Sequence, residues 1–144
     1  MLISQILKDK QIQEVLMVPP GTSVADAAGV LSEKRVGSLL VGTPGEMPAG
    51  ILSERDIVRE LGKRGEICLS DKVDDIMTRD LVTCTPEDRA LRVLSVMTEK
   101  RIRHMPVIDA GKLVGLVSIG DVVKARLDEL SSQAEALKGM IMGY

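Results

Sequence analysis

The chain of 144 residues contains no phenylalanine and no tryptophan, and its one tyrosine is residue 144. Proteins that hold single-stranded nucleic acid stack its bases on aromatic faces, so the body of this chain lacks the means to do so. Charge points the same way: 19 basic residues against 21 acidic ones leave a net charge of −2, which creates no overall field toward a polyanion or an anionic membrane. Cysteine is scarce. Cys68 and Cys84 are too few for a disulfide framework and form no CxxC pair, so both are read as reduced thiols and metal chelation by cysteine is unsupported. The first ten residues have apolar positions at helical spacing, but no basic leader, long apolar run or small-residue cleavage site. A cytoplasmic location is therefore expected, with neither nucleic acid nor membrane as partner. Catalytic signatures are missing too. There is one histidine, no Gly-x-Ser-x-Gly, no Walker loop, no His-Glu-x-x-His and no metal-ligand spacing, so the expectation is a protein that is not an enzyme and holds no metal.

What is present suits a compact unit: 44% hydrophobic and 28% charged residues, with eight methionines able to fill irregular interior space in place of rings. The informative feature is a repeat. Gly50-Ile51-Leu52-Ser53-Glu54-Arg55-Asp56-Ile57-Val58 returns 65 residues later as Gly115-Leu116-Val117-Ser118-Ile119-Gly120-Asp121-Val122-Val123, and upstream Ser32-Glu33-Lys34-Arg35-Val36 returns after 66 as Thr98-Glu99-Lys100-Arg101-Ile102. The stripe Val24, Ala27, Ala28, Leu31 maps onto Ala90, Val93, Leu94, Met97, which predicts a helix with one buried face in each copy. Each helix is followed by a short apolar run (Ser38-Leu39-Leu40-Val41 or His104-Met105-Pro106-Val107), a polar turn and a second apolar run. That order predicts a hairpin.

Apolar segments Val15-Leu16-Met17-Val18 and Leu81-Val82-Thr83-Cys84, with Pro20 and Pro86 at equivalent junctions, complete a β-α-β-β-α unit in each copy. The fold class is α/β, with repeats spanning 8–66 and 73–131 and Gly62-Lys63-Arg64-Gly65-Glu66 as the linker. Units of this size are marginal alone, so the two are expected to pack through their sheets. Apolar residues toward both ends (Leu2, Ile6 and Leu7; Leu127, Leu130, Leu137, Met140 and Ile141) suggest a homodimer.

This doublet, with Gly-h-h-Ser-x-x-Asp closing each copy and Arg101-Ile102-Arg103-His104-Met105-Pro106-Val107-Ile108-Asp109 in the second, resembles a tandem pair of cystathionine-β-synthase (CBS) domains, also called a Bateman module. The resemblance covers nearly the whole chain. It implies a disc-like, pseudo-symmetric, commonly dimeric pair whose clefts between repeats bind AMP, ATP, NAD or S-adenosylmethionine. It implies a regulatory role through an adenine nucleotide, possessed of no catalytic cofactor, acting on a regulated protein still to be identified. The competing reading is an interaction module that dimerises and docks on a target without ligand.

Two roles fit Ser53 and Asp56, and Ser118 and Asp121. A serine followed three residues later by an acid forms a capping box, while the same geometry offers a hydroxyl and amides to phosphate and a carboxylate to ribose hydroxyls; the resemblance implies the ligand role for both pairs. Arg55, a cation in a first helical turn, fits either a nearby anion or solvent. Arg103 and His104 stand where the first copy has Gly37 and Ser38, and the resemblance implies phosphate contact there by one of the two. With Met105 and Pro106 beside them, and with Val18, Thr83 and Thr85 on the first strands to read the base through backbone groups, these residues make up the expected nucleotide-binding set.

Overall fold

The computed structural model describes residues 1–10 and 15–142. It is a mixed α/β protein of two repeats, each with a small sheet flanked by helices. The order is α1 (Ile3–Asp9), β1 (Met17–Val18), α2 (Val24–Lys34), β2 (Ser38–Val41), β3 (Gly50–Ser53), α3 (Glu54–Arg64), a 3₁₀ helix (Gly65–Ser70), α4 (Val73–Ile76), α5 (Ala90–Lys100), β4 (His104–Asp109), β5 (Lys112–Ser118) and α6 (Ile119–Met142). Two compact units emerge, and they do not follow chain order. One holds β1 through Val82 with Ile108–Val114; the other holds α1, Thr83–Val107 and the chain from Gly115 through α6.

In the first unit β1 runs parallel to β2 and β2 antiparallel to β3, with Leu39 opposite Leu52 and Ser38 opposite Ser53. α2 starts because Ser23 Oγ accepts from the Asp26 amide at 3.0 Å, which satisfies an otherwise unpaired helix donor. Its apolar stripe buries Val24, Ala27 and Leu31 against Leu39, Val41, Leu52 and Ile57. α4 completes this core with Val73 and Met77, held by backbone bonds from Val24 N to Asp71 O and from Val73 N to Thr22 O, both 2.8 Å.

The second repeat follows the same plan. α5 buries Ala90, Val93 and Met97, and β4 and β5 are joined by Ala110-Gly111, both at positive φ, as a two-residue hairpin turn requires. The expected front strand, Leu81–Cys84, is reduced to one parallel bridge between Cys84 and Val107. Cys84 is buried, which pushes its thiol up to about 12 with Asp88 adding and Arg92 opposing. α1 takes the place that α4 has in the first unit. Ile3 N bonds Asp88 O and Ala90 N bonds Met1 O, both 2.9 Å, and Ile3 and Ile6 are buried. Ile6 and Leu7, expected to seek a second molecule, thus fold back on their own unit.

The expected linker, 62–66, is helical. Gly62, Lys63 and Arg64 end α3, where cations suit the negative helix terminus, and Gly65 caps it at φ 70 before the 3₁₀ helix. Arg64 clasps Glu60 and Asp71, which fastens this segment to the first unit.

Gly50 and Gly115, equivalent in the two repeats, each lie under an incoming side chain. A Cβ on Gly50 would stand 2.6 Å from Met77 Sδ and 2.9 Å from the Thr78 carbonyl, and one on Gly115 would stand 2.7 Å from Leu7 Cδ2. Overpacking of this kind costs about 1–3 kcal/mol. Gly50→Ala is expected in that range because a backbone oxygen must move, whereas Gly115→Ala needs only a leucine rotamer change and should cost less; urea unfolding of both variants checks the order.

Candidate functional site

Each repeat ends its hairpin on a serine and starts its last helix on the next residue. Ser53 N donates to Asp56 Oδ2 and Ser118 N to Asp121 Oδ2, both at 2.9 Å. The aspartate amides donate back to the serine hydroxyls at 3.2 and 3.1 Å. The two helix starts are therefore reciprocally capped. The chain entering each hairpin is tied to the same place: Glu54 N donates to Gly37 O at 2.9 Å and Ile119 N to Arg103 O at 2.8 Å. That bond is what brings Gly37 and Ser38 to the start of α3, and Arg103 and His104 to the start of α6.

The two starts differ in what surrounds the carboxylate. Asp56 is only 7% exposed; Arg59 Nη2 lies 2.7 Å from its Oδ1, and Ser53 Oγ donates to its Oδ2 at 3.1 Å. Directly across the ladder, on the same face as Ser53, Ser38 is 4% exposed and its hydroxyl has no hydrogen-bond partner among the described residues. A buried polar group left in that state costs about 1–3 kcal/mol, so this position favours a ligand atom able to bond it. At α6, Lys10 Nζ lies 3.0 Å from Asp121 Oδ2 and donates to Leu116 O at 2.9 Å. Burial would raise the Asp121 pKa, but the Ser118 amide and the Lys10 ammonium outweigh it and hold the carboxyl below its usual value.

The expected site residues fall into two sets. Gly37, Ser38, Ser53, Arg55 and Asp56 gather at the start of α3, where Arg55 is exposed and makes no ion pair among the described residues. Arg103, His104, Ser118 and Asp121 gather at the start of α6. Val18 stands apart, paired with Val41 at the far end of β2, its side chain in the core and its carbonyl taken by Gly42 N. Met105 and Pro106 are buried in β4, and the Cys84–Val107 bridge sets Thr83 and Thr85 beside that strand, with the Thr85 amide engaged by Asp88. Lys10 was absent from the expected set. It reaches Leu116 across 106 residues of chain, and no local pattern announces such a contact. Among the described residues, no group of three or more histidine, cysteine or acidic side chains is placed to hold a metal, and no helix is long and apolar enough to cross a membrane.

Comparison with known proteins agrees with this fold. The CBS domain model matches residues 7–63 and 73–128. A mitochondrial CBS domain-containing protein of Arabidopsis thaliana is 43% identical over 125 residues, which cover 84% of this chain and 61% of that protein, so the match spans less than two thirds of that relative. The crystal structure of a CBS-domain containing protein from Agrobacterium tumefaciens superposes with TM-score 0.82 at 35% identity, covering 88% of this chain and 99% of that one. A CBS domain pair solved with 5′-methylthioadenosine and S-adenosyl-L-methionine, the MJ0100 protein, has TM-score 0.76 at 22% identity, covers 90% of this chain and 98% of its own, and so shares the fold.

The depressed Asp121 carboxyl makes a pH prediction. A carboxyl whose folded pKa lies below its unfolded value contributes stability that is present above the unfolded pKa and lost as pH falls through the folded one. The unfolded value is near 3.8. Below it, native stability should therefore decline, and in Asp121→Asn, which keeps the cap but cannot titrate, the decline should be shallower. Denaturant midpoints of both proteins between neutral and strongly acidic pH measure the difference.

Proposed function

The chain belongs to the CBS domain family and carries the domain twice, and we propose that it is a non-catalytic regulatory module that binds an adenine nucleotide at the starts of α3 and α6. The observation that carries this reading is the Ser38 hydroxyl, buried and without a partner among the described residues beside the Ser53–Asp56 cap. Capping alone explains Ser53, Asp56, Ser118 and Asp121; it does not explain a buried polar group left beside them. The ligand classes that fit are AMP, ATP and NAD: the aspartates accept from ribose hydroxyls and Arg103 or His104 meets phosphate. With no aromatic ring in the body of the chain, the base lies among aliphatic side chains. The CBS domain pair solved with two adenosine-containing ligands supports that class. Two unpaired buried thiols suit a reducing compartment such as the cytoplasm.

We further propose a homodimer acting on a regulated protein. Along α6, Leu127, Leu130, Leu137, Met140 and Ile141 remain exposed, and a stripe of this kind on one helix suits a partner face. Light scattering at micromolar concentration should give twice the chain mass, and a monomer mass would remove the dimer.

Ligand binding is tested by melting the stripped protein with AMP, ATP, NAD and S-adenosylmethionine. Micromolar affinity should raise the melting temperature as ligand is added, and a flat response to all four would leave the ligand-independent docking module as the better reading. Asp56→Asn and Asp121→Asn separate capping from binding. Asparagine caps nearly as well, so stability should drop by less than about 1 kcal/mol, while loss of charge-assisted bonds to ribose should weaken the affected site by roughly tenfold or more in calorimetry. Unchanged affinity in both folded variants would make these aspartates caps alone.

A further inference from the structure

We infer that Lys10 is a further phosphate-reading cation of the α6 site, beside Arg103 or His104, so that this site selects the phosphorylated form of an adenosine ligand over the uncharged nucleoside. The inference rests on the adenine-nucleotide reading above and assigns a role within it.

The first turns of the two helices are electrostatically unlike. α3 opens with two acids, Glu54 and Asp56, against the cations Arg55 and Arg59, so its start is balanced. α6 opens with one acid, Asp121, and Lys10 stands on it at 3.0 Å, with Arg103 tied alongside through its carbonyl bond to the Ile119 amide. Two cations against one carboxylate, added to the positive end of a long helix, leave an excess that suits an anion. Of the two residues between Ser118 and Asp121, the second is Gly120, which has no side chain and where even a Cβ would meet only Ser118 Oγ at 3.6 Å. An oxygen can therefore come close to the Gly120 amide, which lies between the Ile119 amide held by Arg103 O and the Asp121 amide held by Ser118 Oγ.

Lys10 is set in place before any ligand arrives. It caps α1, its amide bonding Ile6 O at 3.1 Å, and α1 is fixed by the buried Ile3 and Ile6 and by Leu7 over Gly115. Its ammonium has three N–H donors; one goes to Asp121 and one to Leu116 O, which leaves a third for a phosphate oxygen. The same carboxylate that accepts from ribose thus positions the cation that reads the phosphate. The start of α3 has no such lysine, and its distinguishing group is the neutral Ser38 hydroxyl.

The test is calorimetry of AMP and adenosine on the full chain, with wild type, Lys10→Gln and Lys10→Arg. Glutamine keeps donors for Leu116 O and Asp121 but removes the charge. Lys10→Gln should weaken AMP at one site by about tenfold or more and change adenosine by less than about twofold, while Lys10→Arg should stay close to wild type. Equal losses for AMP and adenosine would make Lys10 a structural ion pair and overturn the assignment, as would unchanged AMP affinity. Should Lys10→Gln melt early, the AMP-to-adenosine affinity ratio is measured below its melting temperature, and a wild-type ratio there overturns the assignment equally. The outcomes separate from those of the broader reading: wild type that binds neither compound removes both, whereas AMP binding sensitive to Asp121→Asn with no selective effect at Lys10 removes only this inference.

Discussion

The constraint on which the rest depends is that neither small sheet closes its own core. Three short strands or a single hairpin bury too little surface to be stable alone, and each unit is completed by a short helix lying over a glycine of its last strand: α4 with Met77 over Gly50, α1 with Leu7 over Gly115. The backbone bonds match, Val24 and Val73 to Asp71 and Thr22 in one unit, Ile3 and Ala90 to Asp88 and Met1 in the other. Each completing helix precedes, in the chain, the repeat whose core it does not fill. A side chain is thereby delivered to a helix start that its own repeat does not contain, and Lys10 at Asp121 is the result.

The helix starts carry two kinds of work with one geometry. Reciprocal Ser–Asp caps hold α3 and α6 in register with their hairpins, and the bonds from Glu54 to Gly37 and from Ile119 to Arg103 fix the entering strand beside them. Because the scaffold sets these positions through backbone groups, side chains at 38 and 104, at 55 and 120, and at 10 vary without disturbing the cap. That is how two copies of one fold come to have a buried neutral hydroxyl and balanced charge at one start and an added lysine at the other.

The repeat, the buried helix faces and the hairpins were legible in the sequence because they are local and periodic. Val24, Ala27 and Leu31, and Ala90, Val93 and Met97, fall on the faces that spacing predicts, and the capping boxes lie where Ser-x-x-Asp puts them. The segment 62–66 reads as a linker because its glycines suggest a break, yet it is helical, with Arg64 paired to Glu60 one turn back in α3 and to Asp71 beyond the 3₁₀ helix. The segment 81–84 was expected as a strand from its apolar run, yet pairing depends on a neighbour, and β4 offers it one bridge.

By itself the sequence determined the α/β doublet, its family and the residues at each helix start, since periodicity, turn chemistry and short-range spacing act within a few residues. Only the tertiary structure decided which helix completes which core, that Ile6 is buried and Leu7 packs over Gly115 within one chain, that Ser38 is left without a partner among the described residues, and that Lys10 meets Asp121. These outcomes rest on contacts between segments tens of residues apart, whose energies come from packing and burial after collapse; no spacing along the chain encodes them.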